Sequence, residues 1–171
     1  MEMPAQHSLV DRMRGAAMLH VPTYEDVEAD TTATGQAAIV VGIVAICSAI
    51  GAIRGGGMSI IGGIVAAFVG WLIWSGVTYL IGAKLLGGTA TWGELLRTIG
   101  FAQSPGVLLI LGIIPILGGI VRLVVGIWML VAGIIAIRQA LDFSTGKAII
   151  TALLGWLCMV ILYALFAVPR M

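Results

Sequence analysis

Residues 99–137 read IGFAQSPGVLLILGIIPILGGIVRLVVGIWMLVAGIIAI, an apolar run of 39 residues broken by one charge, Arg122. As a single straight helix at 1.5 Å per residue the run would measure about 58 Å, nearly double the roughly 30 Å of hydrocarbon in a bilayer. It must therefore fold back on itself. Pro115 to Gly119 is the place for the reversal, because proline lacks an amide donor and Gly118-Gly119 permits a close turn. Pro105 is the runner-up, read as a kink near the start of the first helix. The run thus yields two spans, at about 99–115 and 119–137.

The flanks extend the same pattern. Before the run, a span over about 36–53 stops at Arg54-Gly55-Gly56-Gly57, where one charge and three glycines suit a tight connection. A second, over about 59–83, is closed by Lys84, whose ammonium can reach the interface. The stretch 84–98 is the most polar part of the body, and its Thr91-x-x-Glu94 is a capping box that predicts a helix start before Leu95. After the run, Arg138 ends a span, residues 142–147 make a polar connection, and a fifth span occupies about 148–168. The fold class is all-α: a polytopic membrane protein, a bundle of five transmembrane helices with a short polar N-terminal helical segment.

Composition agrees. Of 171 residues, 60% are hydrophobic and 10% charged, with a mean hydropathy of +1.12, whereas a soluble domain is about a quarter charged. Nine bases against eight acids give a net charge of +1 and no basic face for a nucleic acid. The tail, 1–35, holds six acids and two bases and lacks the order of a cleavable signal peptide. Ser8-x-x-Asp11 and Thr23-x-x-Asp26 both read as capping boxes, so two short helices are expected; Leu9, Val10, Met13 and Ala17 share a face that could lie on the bilayer surface. Five spans place the termini on opposite sides. With the tail in the cytoplasm, Arg12, Arg14, Lys84, Arg97, Arg138 and Lys147 fall inside and Arg54, Arg122 and Arg170 outside, which favours a cytoplasmic N-terminus and an external C-terminus.

Residues able to carry chemistry are few. Arg122 is the only charge within a span and is assigned to lipid headgroups. His7 and His20 have no third ligand nearby, and Cys47 and Cys158 no neighbouring base, so neither a metal, a cofactor nor a catalytic residue is expected. The glycines say more, since small residues let helix backbones approach in lipid. Gly62, Ala66 and Gly70 form one small-residue face, Gly51 and Gly55 a second, and Gly126 and Gly133 a third; each packs either inside the chain or against a partner. Trp71, Trp74, Trp128 and Trp156 fall mid-span, as large fillers whose indole N–H would need a partner such as Ser75 or Thr78. A polar cluster is expected at the cytoplasmic face, with Glu94 near Arg97 and Arg138 near Asp142; Arg97 and Arg138 would meet the acidic Glu25-Asp26-Val27-Glu28 segment and tie the tail down.

Three stretches carry a resemblance: TYEDVEADTTATGQA (23–37), WLIWSGVTYLIGAKLLGGTATWGELLRTIGFAQSPGVL (71–108) and IWMLVAGIIAIRQALDFSTGKAIITALLGW (127–156). They resemble the prokaryotic branch of the Yip-domain family, named for Ypt/Rab-interacting proteins, most specifically at 94–102 and 138–142. The resemblance implies a cytoplasmic tail, five spans and no enzymatic activity. Eukaryotic relatives are membrane adaptors that bind prenylated Rab-type GTPases and carry an acidic, aromatic, Gly-Pro motif before the first span. Here that place reads Asp30-Thr31-Thr32-Ala33-Thr34-Gly35-Gln36, with no aromatic residue and no Gly-Pro, which puts small GTPase binding in doubt. The expectation is a non-enzymatic scaffold or adaptor of a prokaryotic cytoplasmic membrane, in contact with the bilayer and with a membrane-protein partner or a second copy of itself. The alternatives are an accessory subunit of a larger membrane complex, such as an energy-converting one, and a small channel or transporter, which the lack of a repeat and of an acid within a span disfavours.

Overall fold

The computed structural model describes residues 8–53 and 60–167, with side chains to residue 161. Gly55 and the Arg54-to-Gly57 turn lie outside the described residues, as does His7.

The tail forms two helices, α1 (Leu9–Ala17) and α2 (Val21–Ala29). Ser8 caps α1, its Oγ accepting from the Asp11 amide at 3.2 Å. Thr23 does not cap α2. The helix begins two residues before it, after an uncapped His20, because Pro22 presets the helical φ of the first turn. Leu19, at φ 60°, turns the chain between the two helices. The Tyr24 hydroxyl donates to the Ala16 carbonyl at 2.9 Å, and Tyr24, Val27 and Ala16 are buried.

The body comprises α3 (Ala33–Ala52), α4 (Ile60–Tyr79) running on as π-helix over Leu80–Leu85, α5 (Trp92–Ala102) running on as 3₁₀-helix over Ser104–Ile113, α6 (Leu117–Ala140) and α7 (Thr145–Ala167). No strand occurs among the described residues. Four stretches are long and apolar enough to cross a membrane, Ala33–Ala52, Ile60–Leu85, Trp92–Ile113 and Leu117–Ala140, and α7 is apolar over Thr145–Ile161. The protein is thus an all-α polytopic membrane protein, with residues such as Ile61, Leu72, Leu123, Leu130 and Trp156 exposed on its outside as a lipid-facing surface requires.

The third stretch is the axis of the bundle: half of its apolar window is buried, against 11% for the second. Thr91 and Glu94 start it with both bonds of a capping box. Beyond Gln103, Pro105 removes an amide donor and the helix tightens into 3₁₀ form. That segment lies against α3 with backbones nearly touching. A Cβ on Gly51 would strike the Leu109 carbonyl, and one on Gly100 would come 2.8 Å from the Ala37 Cβ. Ala37 at Gly100, Val44 at Gly106 and Gly51 at Gly112 rise together, so α3 and the third stretch are parallel. Met129 beside Gly106 and Arg122 bonded to Gly51 show α6 running the opposite way.

The long apolar run does fold back. Leu117 N–H donates to the Pro115 carbonyl at 2.8 Å and Gly118 N–H to Ile114 at 3.1 Å, with Ile116 at φ 70° and 96% exposed at the tip. At its other end α6 closes on Asp142, φ 53°: Asp142 N–H bonds the Gln139 carbonyl and Phe143 N–H that of Arg138, the paired bonds of a Schellman ending. Thr89 donates to the Asp142 carboxylate at 2.6 Å, and Leu141 plugs the space beside Gly82 and Gly88, so the 86–91 connection is fastened to the α6–α7 turn.

Candidate functional site

The chemically richest place is where the tail hairpin meets the bundle. Arg97 sits one turn into α5, 5% exposed, and its guanidinium reaches the C-terminal end of α2. Nε donates to the Val27 carbonyl at 2.9 Å, and Nη2 to the Glu28 carbonyl. These acceptors are the orphan carbonyls that end a helix, where a cation is also favoured by the helix dipole. Arg97 therefore meets the acidic segment through its backbone and not through its carboxylates. Arg138 reaches it indirectly: its Nε donates to Gln139 Oε1 at 2.8 Å, and Gln139 Nε2 donates to Glu25 Oε1 at 2.9 Å. The local pairings read from spacing give way to other partners. Glu94 accepts from the Thr91 amide within the capping box, and Asp142 accepts from Thr89.

Asp26 belongs to a different group. Arg12, 4% exposed, bonds Asp26 Oδ2 at 2.9 Å, Asp30 Oδ2 at 2.8 Å and Gln36 Oε1 at 3.0 Å, so one guanidinium joins α1, α2 and the start of α3. Burial opposes the charged form of Arg12, but the bonds to Asp30 and Asp26 outweigh it and its pKa is raised. Asp30 is held down at about 2 by its bonds from Thr32 and then from Arg12. Glu28 shifts the other way, to about 7, chiefly through burial and then through the neighbouring charges of Glu94 and Asp142, with Arg97 partly compensating. Burial alone raises the Tyr24 phenol.

Arg12, Gln36 and Gln139 were not singled out from sequence. Asp26 and Asp30, four apart on one helix face, carry the signal that could have found Arg12, since two acids side by side call for a cation. Nothing local points to Gln139. Trp128 donates to the Ala17 carbonyl at 2.7 Å and Trp71 to the Leu96 carbonyl at 3.0 Å, so both indoles find backbone partners. Ser75 and Thr78, the partners expected for them, are fully buried with no hydrogen bond among the described residues. Trp128 lies ten residues before Arg138, about 15 Å down α6, so the end of α1 is drawn against the flank of the bundle.

The glycine faces differ from one another. Gly51 is packed inside the chain against Leu109 and Gly112, whereas a Cβ on Gly70, Gly126 or Gly133 would meet nothing within 4 Å. Ala66 is exposed and Gly62 half-buried. Arg122, exposed at the end of the bundle away from the tail, donates Nη2 to the Gly51 carbonyl at 3.3 Å. Beside the docked tail, Arg138, Gln139, Asp142, Phe143, Ser144 and Thr145 line an open polar depression of about 470 Å³.

A family model described as the Yip1 domain matches residues 17–167. No curated protein and no solved structure matches the chain.

Proposed function

The chain belongs to the Yip1 domain family, and from that premise we propose that it is a non-enzymatic scaffold of the cytoplasmic membrane that holds a membrane-protein partner at its tail-side end, the tail facing the cytoplasm. The carrying observation is the locked junction. Arg97 and Arg12, the two buried cations among the described residues, both fix the tail hairpin to the bundle. The hairpin and the polar depression at Arg138, Gln139 and Asp142 then present one preformed surface, with Glu25 on its rim. Preformed surfaces bind without the cost of ordering themselves. Small GTPases are left out of the reading, since Asp30 of the 30–36 segment is engaged by Arg12 and Thr32.

A second reading, accessory subunit of a larger membrane complex, is favoured by the helix faces left open at Gly70 and Gly126. Native purification in mild detergent separates the two. A scaffold is recovered alone, as a homo-oligomer or with a partner that Thr145→Arg at the depression removes; an accessory subunit is recovered in fixed ratio with the complex, indifferent to Thr145→Arg but released by Gly126→Leu. Recovery of a partner unaffected by either variant would count against both readings.

A further inference from the structure

Two clefts, one between α3, α4 and the third stretch and the other between α4, α5, α6 and α7, share Gln103 and Met129 in their walls. The one farther from the tail holds about 350 Å³ and is walled by Val44, Ser48, Ala52 and Gly63; the other holds about 300 Å³, beside Trp74, Gly126, Gly133 and Ala152. A Cβ on Gly63, Gly126 or Gly133 would stand in open space, so these glycines shape a slot and do not serve contact within the chain. Arg122 lines neither cleft but stands one turn before Gly126 on α6 and donates to the carbonyl of Gly51, the neighbour of the cleft residue Ala52. All the acids among the described residues lie at the tail-side end, and among those residues one bond holds this guanidinium, from Nη2, leaving its other N–H groups for a further acceptor.

We propose that this slot binds one anionic phospholipid, its phosphate on Arg122 and one acyl chain along the cleft. The depths agree. Ser48 lies three residues inside Gly51, about 4.5 Å deeper, where the glycerol esters follow the phosphate and their carbonyls can accept from its hydroxyl. From Arg122 to Gly133 is 11 residues of α6, about 16 Å, which matches the half-thickness of a hydrocarbon core of about 30 Å and so the reach of one leaflet's chain. A guanidinium recognises phosphate through paired N–H donors and discriminates for a lipid with net negative charge. The inference needs the membrane-spanning fold and not the scaffold reading.

The test is native mass spectrometry of the full chain, delipidated and then exposed to equal amounts of phosphatidylglycerol and phosphatidylcholine with identical chains. The wild type should retain one phosphatidylglycerol with a preference of about tenfold, which Arg122→Gln should erase. Gly63→Leu and Gly133→Leu, which fill the slot from opposite ends, should release either lipid, while Gly70→Leu outside it should not. Should a leucine variant fail to fold, Ser48→Val and Arg122→Gln still decide the matter, both lowering retention if the site is real. Equal retention of the two lipids by the wild type, or undiminished retention in the filled variants, would overturn the proposal.

Discussion

Arg97 shows how much one side chain can organise. Its fork satisfies carbonyls at the end of α2 that no amide of that helix can reach. Replacing it with Met keeps the volume but strands those acceptors, at a cost of about 1–3 kcal/mol. The detergent-solubilised Arg97→Met protein should melt several degrees lower and be cut faster by protease within the tail. Arg97→Lys should recover part of the loss, since Nε alone already reaches both carbonyls but the ammonium lacks the second arm that Nη2 gives to Glu28. Unchanged melting in both variants would mean that the other ties, Arg12 to Gln36, Gln139 to Glu25 and Trp128 to Ala17, hold the tail without Arg97. The glycines allow a second comparison at this scale. Gly100→Val must push against Ala37 and Trp71, an overpacking worth about 1–3 kcal/mol, whereas Gly126→Ala meets open space inside a helix and should, if anything, stabilise by about 0.5–1 kcal/mol. Comparable losses at the two positions would show that Gly126 is packed after all, against another chain.

At the scale of elements, the docked hairpin should respond to pH through Glu28. Its carboxyl is raised from an ordinary 4.5 to about 7, so the folded arrangement favours the protonated form. The stability it lends is complete below pH 4.5 and disappears as pH rises through about 7. The groups around it are Glu25 on its own helix, Arg97 and Glu94 on α5, and Asp142 after α6; of these, only Arg97 favours its ionised form. Asp30 works oppositely, contributing above its ordinary 3.8 and failing only as pH falls through about 2, so it is constant across the physiological range. Hydrogen exchange over residues 21–29, corrected for intrinsic rates, should therefore show stronger protection at pH 5.5 than at pH 8.5, and Glu28→Gln should abolish the difference. Equal protection in the wild type at both pH values would remove Glu28 from the account. How far elements were readable follows the same local logic. Thr91 and Glu94 announce α5 because both halves of that cap are made by neighbours in sequence, while the similar pattern of Thr23 and Asp26 misleads because Pro22 starts the helix earlier. The 3₁₀ segment was hidden: Pro105 marks a disturbance, but its form depends on how closely α3 approaches, a tertiary matter. Arg97 was legible as a tail contact by charge, and its true acceptors were not, since backbone carbonyls carry no signature in sequence.

For the whole molecule, the orientation in the membrane rests on cations, and the structure changes which of them should be weighed. Arg12 and Arg97 at the tail-side end are buried and bonded within the chain. Arg14, Lys84 and Lys147 remain exposed there, against Arg122 alone among the described residues of the opposite end. Arg54 and Arg170 also belong to that end by sequence, so the proposed cytoplasmic tail rests on the full count of six bases to three under the positive-inside rule, in which acids count for little. On that proposal the reversal at Pro115 lies outside with Ile116, and the α6–α7 turn lies inside with Thr145. Single cysteines at these two positions, in a chain whose Cys47 and Cys158 are replaced by Ala, report both facts at once. Ile116→Cys should react with an impermeant maleimide on intact cells, and Thr145→Cys only after the membrane is opened. Exchange of the two results would invert the protein without disturbing its fold. Reaction of both from one side would be more serious, since α6 would then not cross, although its 24 mostly apolar residues reach about 36 Å, more than the roughly 30 Å of hydrocarbon they would have to avoid.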